Sequence, residues 1–210
     1  ITGVTGPGAV INNNSTTNTN VTAVDSSSGF RDIATDTYKS EIEQAVAMGF
    51  IAGFKEDNTF RPQQSLTREQ LVSMVIGALD SVPELKQKMA ISSQVSSTPY
   101  PDVQGSRWSA TKIEWAKQNQ VVKGYPDGSF KPDKPVTSAE LMAVLRRAAD
   151  FAKVQRALSP ELNAPQSPMT FLDTNGHWGE PLIGQMSSYC RVASPLNETG
   201  NSFYPDRASG

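Results

Sequence analysis

The chain contains an internal repeat, and this feature constrains its fold more than any other in the sequence. Residues 124–132 read Gly-Tyr-Pro-Asp-Gly-Ser-Phe-Lys-Pro, and Thr-Ser-Ala-Glu-Leu follows at 137–141. The same order stands upstream, where residues 53–62 read Gly-Phe-Lys-Glu-Asp-Asn-Thr-Phe-Arg-Pro and residues 67–71 read Thr-Arg-Glu-Gln-Leu. Each copy combines a turn, a short extended piece and a helix start. Recurrence of such a unit predicts similar units that stack on one another.

The first unit, residues 30–98, has the pattern of two helices. Apolar residues at helical spacing predict a helix from Tyr38 to Met48, which Gly49 ends. A capping-box pattern that begins at Thr67 predicts the start of the second helix. Its expected buried residues are Leu71, Val72, Val75, Ile76 and Leu79.

The second unit, residues 99–168, repeats both helices and is joined to the first by a Ser-rich connection. Its first helix is expected to place Trp108, Ile113 and Trp115-Ala116 inward, and its second follows a capping box at Thr137 and is expected to continue towards Leu158. A third unit, residues 169–210, repeats only the first part of the pattern. We therefore predict a mainly α-helical fold of three helix-loop-helix repeats, with the third repeat incomplete.

Residues 1–29 differ from the repeats, because they consist mainly of Gly, Asn, Thr, Ser and Val. Such a composition cannot bury enough apolar area to fold alone. We expect a linker or an extended arm that docks on a sheet edge, a groove or a neighbouring subunit. The chain begins at Ile1 without a leader, which indicates a processed chain or a fragment, and we expect it to be exported.

Composition argues against several classes of function. The net charge of −2 and a pI of about 5.5 disfavour nucleic acid, because phosphate binding needs clustered Lys and Arg. Cys190 is the single cysteine and His177 the single histidine, which disfavours metal sites and a serine-type triad. No apolar run is long enough to cross a bilayer. We predict no catalytic residues, no metal, no cofactor and no membrane span in this chain.

These motifs resemble the S-layer homology family, whose repeat runs roughly as Phe-x-Asp-Val, a Trp-Ala helix, Gly-Tyr-Pro-Asp-Gly-x-Phe-x-Pro and Thr-Arg-Ala-Glu. Two units match over most of their length and the third over its first part. The irregular connections are similar to those of cyanobacterial members. The resemblance implies a pseudo-threefold domain with a central helical bundle, which binds cell-wall carbohydrate in grooves between adjacent repeats.

The resemblance also implies that Arg68, next to Thr67 at a helix start, contacts the ligand. A guanidinium binds a carboxylate through two parallel hydrogen bonds, and the helix N-terminus favours an anion. A salt bridge to a neighbouring repeat is the structural alternative. The second repeat has Ser138 at the equivalent position, so at most one groove keeps its arginine. This departure leaves peptidoglycan or a protein neighbour open as the partner.

Asp32 and Trp108 are further ligand candidates with competing structural roles. Asp32, like Asp102 and Asp173, precedes a helix and could instead accept hydrogen bonds from backbone N–H groups. Trp108 could stack on a sugar ring, but a large residue at this point of an amphipathic helix is more often a core anchor between repeats. The same expectation applies to Tyr38 and to Trp178.

Gly53 and Gly124 are the last ligand candidates. Both are interpreted first as turn residues, whose backbone N–H groups could also touch a ligand.

We expect an exported, non-catalytic module of the cell envelope, in the periplasm or at the cell surface, that tethers a protein to peptidoglycan or a wall-linked anionic polysaccharide. Two alternatives remain at this point. One is a structural subunit whose repeats pack on other envelope proteins or on copies of itself. The other is the periplasmic part of an outer-membrane porin.

Overall fold

The computed structural model describes residues 29–49, 51–159, 161, 164–189, 191–195 and 200–209. The arm predicted for residues 1–29 lies outside this part of the chain apart from Gly29, and so does Cys190. The described residues form six α-helices and one short 3-10 helix, with isolated bridges and no strand. The helices are α1 (Lys39–Ala47), α2 (Arg68–Asp80), α3 (Pro83–Lys86), α4 (Ala110–Gln118), α5 (Ser138–Gln155) and α6 (Glu180–Ser188), and the 3-10 helix is Leu172–Thr174.

Capping boxes start both long helices, as the sequence predicts. The Thr67 hydroxyl accepts a hydrogen bond from the Gln70 N–H, and the Gln70 side chain accepts one from the Thr67 N–H. Thr137 and Glu140 repeat this arrangement at the start of α5, which ends at Gln155, short of the predicted end. All five apolar residues predicted for the buried face of α2 are buried.

An aspartate locks the opening segment of each repeat to a later loop. In each case the carboxylate accepts two backbone N–H groups at 2.7 to 2.9 Å. The pairs are Asp32 with Phe60 and Arg61, Asp102 with Phe130 and Lys131, and Asp173 with Phe203 and Tyr204. The second residue of each pair has a positive φ between 57° and 61°. This left-handed conformation turns successive N–H groups towards one acceptor, so the three aspartates have structural partners within their own repeats.

A ring of backbone hydrogen bonds joins the three repeats at their centre. The Leu66 N–H donates to the Ser209 carbonyl at 2.7 Å, the Ser209 N–H to Val136 at 2.8 Å, and the Val136 N–H to Leu66 at 2.8 Å. Each repeat contributes one equivalent residue, and the ring closes on itself. The hydrophobic core divides into a larger cluster shared by repeats 1 and 2 and a smaller one between α5 and repeat 3.

Two predicted core anchors are not buried. Tyr38 is 55% exposed and Trp178 is 60% exposed, so the prediction that they pack between repeats is wrong. The inward position in repeat 3 belongs to Gly179, where a Cβ would lie 3.3 Å from the Ala139 Cβ. In repeat 1, α1 buries only Ile42. Trp108 is half-buried.

Gly53 and Gly124 allow close packing of an aromatic ring on the backbone and do not provide the predicted turn geometry. Neither has a positive φ, whereas Gly128, with φ of 83°, is the turn glycine. A Cβ at position 53 would lie 2.1 Å from the Phe30 ring, and one at position 124 would lie 2.6 Å from Tyr100. Both positions lack room for a side chain because an aromatic ring packs directly on the backbone.

Candidate functional site

The best-formed polar site lies where repeats 1 and 2 meet, which we call the first junction. It comprises the N-terminus of α2, the loop of residues 122–136 and the N-terminus of α5. Arg68 and Glu69 donate their backbone N–H groups to the carbonyls of Lys134 and Pro132, at 3.0 and 3.1 Å. The start of α2 is therefore held by the loop of the next repeat.

Arg68 reaches from α2 into repeat 2 and is only 7% exposed. Its Nε donates to the Phe130 carbonyl at 2.8 Å and its Nη2 to the Lys123 carbonyl at 3.1 Å. Its Nη1 lies 3.7 Å from Glu140 Oε1, so the salt bridge named as the structural alternative is present. The guanidinium carbon is 4.6 Å from the Tyr125 ring centroid and 4.8 Å from that of Phe130. Arg68 thus joins two repeats through its own side chain.

Glu140 collects the other polar groups of the first junction. Its carboxylate accepts hydrogen bonds from the Tyr125 hydroxyl and from Lys134 Nζ, the latter at 3.3 Å, while Lys134 Nζ also lies 2.9 Å from the Tyr125 oxygen. Burial acts to raise the pKa of Glu140, but the hydrogen bonds from Tyr125 and Thr137 and the charges of Arg68 and Lys134 outweigh it and hold this pKa below its usual value. The carboxylate is therefore charged at neutral pH.

The pKa values of Tyr125 and Lys134 in this cluster are both raised, which favours the protonated form of each. Burial and the Glu140 carboxylate raise the pKa of Tyr125, and hydrogen bonding to Tyr125 with the charge of Glu140 raises that of Lys134. Two cations and one carboxylate thus meet around a neutral phenol. Lys131, which pairs with Asp127 at 3.0 Å, adds a third cation 4.5 Å from the Tyr125 ring. This excess of positive charge beside an aromatic ring suits an anionic group on a polar ligand.

A second polar network in the first junction is fully paired. Glu69, 4% exposed, accepts hydrogen bonds from Arg107 Nε at 2.7 Å, Arg107 Nη2 at 2.9 Å and the Ser109 hydroxyl at 2.6 Å. Arg107 also bonds Asp133. Hydrogen bonding to Glu69 raises the pKa of Arg107 above its ordinary value. These groups satisfy one another, so the network holds the junction together.

The contact between repeats 2 and 3, the second junction, has no arginine side chain in the described residues that corresponds to Arg68. Ser138 stands at that position, and its hydroxyl donates to the Arg207 carbonyl at 3.3 Å. His177 lies in the position of Arg107. Its Nδ1 accepts from the Gly179 N–H at 3.0 Å, and its Nε2 lies 3.3 Å from Asp206.

The structure brings only some of the predicted site residues together. Arg68, its neighbour Thr67, and Gly124 all lie at the first junction. Asp32 and Gly53 lie elsewhere, within the opening segment and loop of repeat 1, and both pack against that repeat's own residues. No measurement tests these six ligand assignments, which remain predictions.

Trp108 stands apart with Lys112, whose Nζ lies 5.9 Å from its ring centroid. The Trp108 Nε1 is buried and has no hydrogen-bond partner among the described residues.

Three site residues were not among the predicted ligands. Glu140 was assigned only to the helix cap and Tyr125 only to the turn motif, and Lys134 was given no role. Repeat 1 has Phe54, Gln64 and Gln70 at the equivalent positions, so the recurrence of the repeat gave no signal that could have indicated these three residues.

Two negative findings limit the chemistry of the described residues. They contain no group of three or more His, Cys, Asp or Glu side chains placed to hold a metal ion. None of the helices found in them is long and apolar enough to span a bilayer.

Comparison with known proteins gives consistent matches. The profile of the S-layer homology domain matches residues 29–72 and 99–142. Cell surface glycoprotein 1 of Acetivibrio thermocellus is 31% identical over 135 residues, which are 63% of this chain and 5% of that protein. The Surface layer protein of Brevibacillus choshinensis is 29% identical over 57% of this chain and 10% of its own length. The Cellulosome-anchoring protein of Acetivibrio thermocellus is 24% identical over 70% of this chain and 32% of its own length. The chain thus spans a third or less of these relatives.

Proposed function

This chain carries repeats of the S-layer homology family at residues 29–72 and 99–142, and on that premise we propose that it is a non-catalytic module that anchors an exported protein to the cell wall. The names of similar proteins support this role, since they include a surface layer protein and a cellulosome-anchoring protein. Proteins named Amylopullulanase and Exoglucanase XynX are each 27% identical over 52% of this chain. A module found in both groups fits a tethering role better than a catalytic one.

We assign the wall-binding site to the first junction, and its excess positive charge is the observation that carries this assignment. Arg68, Lys131 and Lys134 surround Tyr125, each within 4.8 Å of its ring centroid. The Lys134 side chain is 42% exposed, so an incoming anion can reach its ammonium group while Glu140 keeps Arg68 and Tyr125 as partners. A wall polymer with carboxylate or phosphate groups fits this cluster.

The test is sedimentation of the purified chain with cell walls, before and after chemical removal of the wall-linked polysaccharide. Binding that disappears with the polysaccharide identifies it as the ligand, and binding that persists identifies peptidoglycan. Lys134→Met keeps the aliphatic stem and removes the exposed charge, so we expect weaker sedimentation. Lys55→Met is the matched control, because Lys55 is an exposed lysine of repeat 1 away from the junction.

Arg68→Lys extends the test to the buried cation. The lysine keeps the charge but cannot form both carbonyl hydrogen bonds of the guanidinium. If both the Lys134 and the Arg68 variants sediment with walls as well as the Lys55→Met control, the assignment to the first junction is wrong, whatever the wall affinity of the whole chain.

Repeat 3 supports a second candidate, a surface for a protein partner. Leu172, Trp178 and Tyr204 are 75%, 60% and 51% exposed and can offer apolar contacts to a partner. Failure of the chain to bind any wall preparation, together with specific association with another envelope protein through repeat 3, would favour this candidate.

A further inference from the structure

Repeat 2 contains a cavity of about 420 Å³ that lies inside the repeat rather than between repeats. It is bounded by the opening segment, the end of α4 and the loop that leads to Gly128. Its chemically distinctive lining residues are Tyr100, Lys117, Lys123, Gly124, Tyr125 and Gly128. The volume falls within the range of small-molecule sites, about 300–1,000 Å³. We propose that this cavity is a second binding subsite, which takes one sugar unit with an anionic substituent.

Two lysines give the cavity its charge. Lys117 Nζ donates to the Pro99 carbonyl at 2.5 Å and lies 4.4 Å from the Tyr100 ring centroid. These contacts fix the ammonium at the cavity wall and use only one of its three donors. The Lys123 side chain is exposed and forms no hydrogen bond or ion pair within the described part of the chain. Both ammonium groups can therefore bind a carboxylate or phosphate without first breaking an ion pair.

Repeat 1 provides an internal comparison for these residues. Alignment of the repeats on Gly53 with Gly124 and on Ile42 with Ile113 sets Val46, Ala52 and Phe54 at the positions of Lys117, Lys123 and Tyr125. The opening segments align on Asp32 with Asp102, which sets Phe30 at the position of Tyr100. The repeat thus folds with neither cations nor hydroxyls at these positions. Their presence in repeat 2 is a feature of that repeat and not a requirement of the fold.

Backbone geometry leaves the mouth of the cavity open to a sugar ring. Gly128 has φ of 83°, and the space that a Cβ would occupy there is empty to 4 Å. A ligand can approach this backbone closely, while the tyrosine rings offer apolar faces for its C–H groups.

Tyr125 also belongs to the first junction, and Arg68 holds the Lys123 carbonyl from that side. The two sites therefore share one wall, and a polymer chain could contact both. The choice of a saccharide rests on the proposed wall-anchoring function, whereas the anionic group rests on the two lysines.

The test is a titration followed by NMR of the backbone amides, with three probes: a tri-galacturonate, the neutral galactose trimer and galactose 6-phosphate. We expect shifts at Gly124 and Gly128 with an anionic probe, and the response to carboxylate or phosphate identifies the substituent. The double variant Lys117→Val/Lys123→Ala copies repeat 1, and we expect at least tenfold weaker binding of that probe. Equal binding of the neutral trimer by the unmodified chain would overturn the proposal.

The matched control is Lys39→Ala/Lys55→Ala, which removes two exposed lysines of repeat 1 and gives the same net charge. A loss of affinity equal to that of the pocket variant would show a bulk charge effect and would overturn the proposal. Should the loss of the Pro99 hydrogen bond unfold the double variant, Lys123→Ala alone is expected to weaken binding at least threefold.

Wall sedimentation separates this proposal from the one on which it rests. If the unmodified chain and the pocket variant sediment equally with walls, the cavity is not a wall subsite and the anchoring function stands. If neither sediments but the anionic probe still shifts Gly124 and Gly128, the anchoring function fails and the cavity remains an anion-binding site.

Discussion

The first and second junctions use the same backbone arrangement with different side chains. At both, the first two N–H groups of a long helix donate to two carbonyls of the next repeat. Arg68 and Glu69 bond Lys134 and Pro132 at the first junction, and Ser138 and Ala139 bond Arg207 and Pro205 at the second. The carbonyls come from equivalent loop positions, just after the Phe that the opening aspartate holds. The shared hydrogen bonds define the fold of the repeat, since they do not depend on the side chains present.

The side chains at the two junctions differ, and so do the interactions that they can form within the protein and with a ligand. In the first junction the buried Glu69 forms an ion pair with the half-buried Arg107. At the equivalent place the second junction has the close contact of Ala139 with Gly179. The first junction also holds a cationic cluster, and the second is mostly apolar. When a unit is duplicated, its backbone contacts are kept at each junction. The side chains can therefore supply binding chemistry at one junction and mainly packing at the other.

Ala139→Glu copies Glu69 into the second junction and is expected to have the largest effect. Ala139 is fully buried, and His177 replaces the arginine that would be needed as a partner. An unpaired buried carboxylate costs about 3–5 kcal/mol of unfolding free energy. Urea unfolding followed by Trp fluorescence measures the loss. Ser138→Glu is the control, since Ser138 is only half-buried and an acid in the first helical turn interacts favourably with the helix N-terminus. Similar stabilities for the two variants would contradict the comparison.

Glu69→Ala tests the ion pair of the first junction. The substitution copies the second junction but leaves Arg107 and Ser109 without their buried acceptor, and we expect a loss of about 2–3 kcal/mol. Asp133 is the other partner of Arg107, and its side chain is 75% exposed. Asp133→Ala should therefore cost less than about 1 kcal/mol of unfolding free energy. Equal losses in urea unfolding would show that the buried hydrogen bonds of Glu69 do not stabilise the junction.

Ser138→Arg places an arginine where the second junction has none. The backbone around Phe203 matches that around Phe130, so we expect the guanidinium to bond the Phe203 carbonyl and to add about 1 kcal/mol of stability. Thermal unfolding and a crystal structure of the variant check both parts. A destabilised variant whose arginine points to solvent would show that the match between the two junctions stops at the backbone.

Local sequence patterns were sufficient to predict the helices but not to predict which residues pack against them. The capping boxes at Thr67 and Thr137 and the apolar face of α2 depend on residues within a few positions, and the structure confirms them. The exposure of Tyr38 and Trp178 depends on what packs against the start of each repeat's first helix, and periodicity contains no information about that.

The site was predictable only in part for the same reason. Arg68 could be selected from its motif, but its partners are carbonyls of Phe130 and Lys123 in the next repeat. A backbone acceptor leaves no signature in the sequence. The carboxylate role of Asp32 was left open although its spacing of 28 residues to Phe60 recurs between Asp102 and Phe130, and that recurrence is a signal that a comparison of the first two repeats could have used.

The smallest expected effect concerns pH, and it isolates the charge of Glu140. Gln70 occupies the equivalent capping box in repeat 1, so Glu140→Gln preserves the cap and removes only the charge. Because the folded protein holds the pKa of Glu140 below the ordinary 4.5, this group stabilises the fold above about pH 4.5 and loses that contribution as the pH falls through the lowered pKa.

The difference in unfolding free energy between the two proteins should therefore be constant near neutral pH and shrink below pH 4.5. The pKa values of Asp32 and Asp102 are also low, since backbone hydrogen bonds outweigh the effect of burial. They titrate in both proteins and cancel in the difference. Urea unfolding at about pH 7, 5, 4 and 3 measures the free energy of unfolding of both proteins along the expected pH dependence. A difference that stays constant over this series would mean that Glu140 contributes to the first junction through its shape and hydrogen bonds, and that the cations around Tyr125 do not act on its charge.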